Sequence, residues 1–136
     1  MGTRMGAEAR LDENQPMAPT ILIVDDHPSF RRYARKLLEA AGFRVVGDAE
    51  DGASALTAVR ELRPDVVLLD VLLPDTTGFA VAKELAASPE RPLVVLTSSR
   101  SAADLGALVR TEHARGFISK RDLTVAALAA LVSEPA

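Results

Sequence analysis

Cysteine is absent from the 136-residue chain, which rules out disulfides, thiolate zinc sites and cysteine nucleophiles and fits a reducing cytoplasm. Tryptophan is absent too, and aromatic residues make up only 4%, which leaves little surface for stacking single-stranded nucleic acid. No Lys/Arg-rich run appears and the net charge is −3, so binding along a phosphate backbone within this chain is disfavoured. No apolar run approaches the roughly 20 residues of a membrane helix. Residues 1–19, MGTRMGAEARLDENQPMAP, lack the apolar stretch of a secretory signal. They are expected to be a disordered tail or an expression remnant, with Met17 as an alternative start. What the chain does have is a hydrophobic fraction of 48%, enough for one domain to bury a real core.

From residue 20 onward, short β-rich apolar runs alternate with segments of helical spacing. The runs are Ile21–Val24, Phe43–Val46, Val66–Leu69, Leu93–Leu96 and, more weakly, Phe117–Ile118. Phe30, Ala34, Leu37, Leu38 and Ala41 make one face of a first helix, with Gly42 as its left-handed stop. Leu56, Val59 and Leu62 mark a second, ended by Arg63-Pro64. Ala82, Leu85 and Ala86 mark a third, closed at Ser88-Pro89. A fourth starts at Ser101, where Ser-Ala-Ala-Asp resembles a capping box with Asp104 in the usual Glu place; Leu105, Leu108 and Val109 follow on its inner face. A fifth runs from about Asp122 to Val132. Five strands alternating with five helices predict a parallel sheet joined by right-handed crossovers. The first three strands look apolar on both faces, as central parallel strands must be.

In such a sheet ligands bind beyond the carboxyl ends of the strands. The first strand ends at Asp25-Asp26, the third at Asp70, the fourth at Thr97 and the fifth at Lys120. Three carboxylates, a hydroxyl and an ammonium are therefore predicted to meet at one edge. Carboxylates so close raise one another's pKa unless a cation neutralises them. Oxygen donors without Cys or His suit a hard ion, Mg²⁺ first and Mn²⁺ as a substitute. Such a metal and Lys120 together invite a phosphoryl group, and a carboxylate is itself a competent phosphoryl acceptor.

These residues resemble the receiver domains of two-component response regulators over roughly residues 20–133, leaving 134–136 as a short tail. The matching pieces are Asp25-Asp26, the stretch DVLLPDTTG with Asp70, Pro74 and Gly78, the strand end Thr97, and GFISK with Phe117 three residues before Lys120. The opening DDHPSFRR is similar to the subfamily usually joined to helix-turn-helix output domains. The resemblance implies a flavodoxin-like (βα)5 fold with strand order 2-1-3-4-5. It implies that Asp70 accepts a phosphoryl group from a histidine kinase or phosphotransfer protein. Asp26, Asp70 and the main-chain carbonyl of Leu72 would hold Mg²⁺, with Asp25 helping through water. Lys120 would pair with the phosphoryl group, and Thr97 and Phe117 would act as the switch. It further implies a cytoplasmic signalling module rather than an enzyme, whose fourth helix, fifth strand and fifth helix meet a downstream protein or a second copy of the chain.

Arg121 departs from the family, where a proline with a cis peptide commonly follows the lysine; a trans bond is expected here because a non-proline cis bond costs about 2.5–4 kcal/mol. Plainer roles also fit single residues. Asp25 and Asp26 suit a helix cap next to Pro28, Asp70 a turn, Thr97 a strand end, Lys120 a solvated surface and Phe117 the core. His27 is expected to be an exposed loop residue without a metal partner, and Asp48, Glu50 and Asp51 a solvated loop and helix cap. The competing function is a Mg²⁺-dependent phosphatase working through an aspartyl phosphate. Such enzymes place a general acid two residues after the nucleophile, where this chain has Leu72, which transfers no proton.

Overall fold

Alternation along each apolar run sorts side chains onto the two faces of a sheet. In a computed structural model that describes residues 18–105 and 113–133, that sorting builds two separate cores. The elements are β1 (Thr20–Val24), α1 (Pro28–Ala40), β2 (Arg44–Ala49), α2 (Gly52–Leu62), β3 (Val66–Asp70), α3 (Gly78–Ala87), β4 (Leu93–Ser98), α4 (Ala102–Leu105), β5 (Gly116–Ser119) and α5 (Val125–Ser133). The strands form one sheet in the order β2-β1-β3-β4-β5, and every pairing is parallel. The flavodoxin-like architecture and its strand order are thus as expected.

Leu22, Val24, Val67, Leu69, Val94 and Leu96 face Ala55 and Val59 of α2 and Val81 and Leu85 of α3. Ile21, Ile23, Val66, Leu68 and Val95 face the other way, onto Ala34 and Leu38 of α1 and Leu128 of α5. β1 and β3 are buried on both faces, as the crossover helices require. Truncating a fully buried leucine such as Leu68 removes packing worth about 2–5 kcal/mol.

β2 departs from expectation. Only Ala49 is buried in it, and Val45 and Val46 are partly buried, because the strand lies at the sheet edge with no strand on its outer side. Its register against β1 also shifts at Val46, between Ile21↔Val45 and Leu22↔Gly47. Beyond the shift, the Asp25 N–H donates to the Ala49 carbonyl at 3.0 Å, which ties the start of the acidic loop to the end of β2.

Helix ends follow local chemistry. Gly42 has φ 96°, the left-handed stop predicted for it. Arg63 evades the right-handed region before Pro64 by turning left-handed, φ 48° and ψ 57°. Asp51 caps α2 in a reciprocal box with Ser54. Ser101 and Asp104 form the predicted box: the Asp104 N–H donates to Ser101 Oγ at 3.1 Å and the Ser101 N–H to Asp104 Oδ2 at 3.4 Å. Leu108 and Val109 lie outside the described residues. Three expected inward residues, Ala41, Leu62 and Ala86, are exposed; each sits at or near a helix end. α5 starts later than expected, because residues Lys120–Asp122 form a 3-10 turn. No cis peptide occurs among the described residues, so Arg121 follows Lys120 through a trans bond.

Candidate functional site

The carboxyl ends of β1 and β3 lie side by side where the strand order reverses, the point at which open parallel sheets bind ligands. Alternation decides which groups meet there. Ile23, Leu68, Val95 and Ile118 all face α1 and α5, so Asp25, Asp70, Thr97 and Lys120, each two residues further on, fall on that same side of the rim. Phe117 belongs to the opposite core, against the α2 and α3 layer.

Asp25 is fully buried and Asp70 is 4% exposed. Lys120 Nζ stands 2.6 Å from Asp25 Oδ2 and 3.5 Å from Asp70 Oδ2. The shorter contact is a tight ion pair between the ammonium and the buried Asp25 carboxylate. The ammonium also lies 4.4 Å from the centre of the Phe30 ring, so α1 supplies a second electrostatic seat for it. One lysine serves two buried carboxylates, and they fare differently. Burial alone would raise the Asp25 pKa, but Lys120, with the backbone N–H and imidazole of His27, holds it below the ordinary value. Burial and then the negative charge of Asp25 push Asp70 up to about 6, against the pull of Lys120.

Asp70 pairs in register with Thr97, whose hydroxyl is buried with no partner among the described residues. A buried hydroxyl left unbonded costs free energy until an acceptor or donor arrives. Asp26, by contrast, is exposed, and together with His27, Asp70, Leu72, Leu73, Pro74, Ser98 and Ser99 it lines an open crevice of about 170 Å³. The Leu72 N–H donates to Asp70 Oδ1 at 3.3 Å, while its side chain is 56% exposed.

The loop after β3 is held at two points. The Gly78 N–H donates to the Val71 carbonyl at 2.7 Å, and a Cβ on Gly78 would collide with the Asp70 carbonyl oxygen. That contact explains the glycine. Further along, the Asp75 carboxylate accepts from the Gly52 N–H at 2.8 Å and the Ala53 N–H at 3.0 Å, capping the N-terminus of α2 from another loop. Those bonds lower the Asp75 pKa. Asp75 escaped sequence reasoning because its partners lie over 20 residues away.

His27 was missed as well. It is exposed, as expected, but, expected to have no metal partner nearby, it places Nδ1 2.9 Å from Asp25 Oδ1 and 3.2 Å from Asp26 Oδ1. Asp25, Asp26, His27 and Asp70 thus form a group that could hold a metal ion. Of the neighbouring acids, Asp51 is a helix cap as expected, and Asp48 pairs with Arg31 Nε at 3.3 Å. Arg31 also donates to the Asp25 carbonyl at 2.5 Å.

An acid cluster, a half-buried lysine and a buried hydroxyl at the switch point of a 2-1-3-4-5 sheet define a class of signalling domain. The chain belongs to the response regulator receiver domain family, whose model matches residues 21–132. It is 45% identical over 91 residues to the DNA-binding response regulator MtrA of Mycolicibacterium smegmatis, covering 65% of this chain and 39% of that protein. A protein-glutamate methylesterase/protein-glutamine glutaminase of Hahella chejuensis is 37% identical over 84 residues, 62% of this chain and 24% of the relative. The chain therefore spans half or less of the curated relatives it matches. Among solved structures, a LuxR-family two-component response regulator from Aurantimonas superposes with TM-score 0.73 at 28% identity, covering 85% of this chain and 86% of that one. A CheY-like receiver domain from Methylobacillus flagellatus gives 0.67 at 30% identity, covering 85% and 96%.

Receiver domains bind Mg²⁺ at an acidic aspartate cluster, and the residues here fit such an ion. The three carboxylates outnumber the lysine that faces them, and one donor atom from each of Asp25, Asp26, His27 and Asp70 lies within 4.8 Å of the others. No helix among the described residues is long and apolar enough to cross a membrane.

Proposed function

We propose that this receiver takes a phosphoryl group from a histidine kinase or phosphotransfer protein onto Asp70. The observation that carries the reading is the state of Asp70, a nearly buried carboxylate that opens on the crevice and shares Lys120 with Asp25. An Asp70 oxygen attacks phosphorus, the P–N bond to the donor imidazole breaks, and its electron pair stays with the imidazole nitrogen. Asp26, Asp70 and the Leu72 carbonyl, with Asp25 nearby, would hold Mg²⁺, which would supply positive charge to carboxylate and phosphoryl oxygens. Lys120 swings its ammonium from the carboxylates toward the new phosphoryl oxygens. The unpartnered Thr97 hydroxyl then has an acceptor available in one state of the protein and not in the other, which biases a two-state equilibrium.

Phe117 lies on the other face of the sheet and also lines an open groove of about 280 Å³ with Ile118, Ser119, Asp122 and Ala127. In this reading it follows Thr97 inward, and the surface of α4, β5 and α5 changes for a downstream protein or a second copy of the chain. The relatives carry quite different activities in their names, DNA binding and methylesterase, so the receiver itself does not set the output. The work of such a module is signalling in the cytoplasm, where kinases find their phosphoryl source.

Incubation with a small acyl phosphate and Mg²⁺ should raise the intact mass by one phosphoryl group. An Asp70→Asn protein that gains the same mass would overturn the assignment.

A further inference from the structure

The N-cap of α1 is occupied by a residue that does not cap. Ser, Thr, Asp and Asn dominate this position because their side chains accept from the first free N–H groups, a bond worth about 1 kcal/mol. His27 stands there with φ −97° and ψ 109°, makes no capping hydrogen bond, and is followed by Pro28 at the first helical position. Its imidazole turns back over the acid cluster instead. The turn is fixed from below: the His27 N–H donates to Asp25 Oδ1 at 2.8 Å, and the ring nitrogen Nδ1 meets the same oxygen at 2.9 Å.

The spacing matches a coordination shell. Adjacent ligands of an octahedral ion with bonds of about 2.1 Å lie about 3 Å apart, and opposite ligands about 4.2 Å. Nδ1 lies 3.2 Å from Asp26 Oδ1, the spacing of adjacent ligands, while its 2.9 Å contact with Asp25 Oδ1 is a hydrogen bond. One donor atom from each of Asp25, Asp26, His27 and Asp70 falls within 4.8 Å of every other. Small adjustments of an exposed imidazole, 65% accessible, bring the set to octahedral dimensions.

We propose that His27 is a nitrogen donor to the divalent ion of this site, the ion taking the place of the Nδ1 proton that faces Asp25 and the ring keeping its proton on Nε2, and that it tilts the site toward Mn²⁺, Co²⁺ and similar ions over Mg²⁺. Imidazole suits first-row transition ions, whereas Mg²⁺ prefers carboxylate, carbonyl and water. The inference rests on the reading of the acid cluster as the metal site.

Mn²⁺ bound to the full chain reports the nitrogen directly. Pulsed electron paramagnetic resonance should show ¹⁴N coupling of a coordinated imidazole in the wild-type protein and lose it in His27→Ala. In parallel, His27→Ala should bind Co²⁺ roughly tenfold or more weakly while Mg²⁺ affinity changes less than about twofold. No ¹⁴N coupling in the wild type, or an equal loss of affinity for both ions, would overturn the inference and leave the acid site standing. Asp26→Ala separates the two levels. If that variant keeps its affinity for all three ions, the site reading falls and the inference with it.

Discussion

The two ends of the sheet are built for opposite ends. At the amino ends of β3 and β4, residues Arg63–Asp65 and Pro89–Leu93 surround a cavity of about 370 Å³. Three prolines stiffen it, and the two left-handed residues, Arg63 and Arg91, each precede one of them. Its Asp65 is well partnered: it accepts from the Thr20 N–H at 2.9 Å and its hydroxyl at 3.1 Å, and its own N–H donates to Thr20 Oγ1 at 2.9 Å. At the carboxyl ends the crevice is only about 170 Å³. Yet at this end of the sheet two buried carboxylates compete for one lysine, and a buried hydroxyl has no partner among the described residues. Size marks one end and unfinished electrostatics the other. The second is the better guide to chemistry.

Substitutions at the two ends should separate sharply. Asp26→Ala should weaken Mg²⁺ binding roughly 10–100-fold by titration calorimetry, and Asp65→Ala should leave it unchanged; equal effects would erase the distinction. Next in size is a gain of stability. Asp70 has its native pKa raised to about 6 from an ordinary 3.8, so the native state pays to ionise it. That cost is absent below about pH 4, grows as pH rises through 6, and is complete above 7. Metal-free Asp70→Asn should therefore be more stable than the wild type by on the order of 1–3 kcal/mol at pH 7.5 in urea. Mg²⁺ should shrink the gap, and none at pH 4 is expected. A less stable Asp70→Asn would contradict the account of a strained carboxylate.

Asp75 has the opposite sign. Its pKa is lowered by two N–H groups of α2, so its contribution is present above the ordinary value of 3.8 and lost on acidification through the lower native one. Asp75→Ala should lower Tm by a few degrees at neutral pH and by less in acid. The smallest effect belongs to the amino end. Asp65→Ala breaks an exposed, fully partnered contact and should cost about 1 kcal/mol or less, with phosphorylation by acyl phosphate unaffected.

Much of this was legible in the residue pattern. The short apolar runs named the strands, and reading them as parallel brought the acids, the hydroxyl and the lysine at their ends to one edge of the sheet. β2 misled because Phe43–Val46 reads as a central strand, while edge position and a register shift leave Val45 and Val46 only partly buried. His27 and Asp75 were illegible for a different reason. One depends on a turn that folds a ring onto its own neighbours, the other on a contact between distant loops, and neither has a signature in spacing.

The central claim is that the phosphoryl group sits on the carboxylate of Asp70. Borohydride reduces an aspartyl phosphate to homoserine, so protein treated with acyl phosphate and Mg²⁺, reduced and digested should yield homoserine at position 70. Homoserine at position 25 or 26, or phosphate retained on a serine or threonine, would contradict the account.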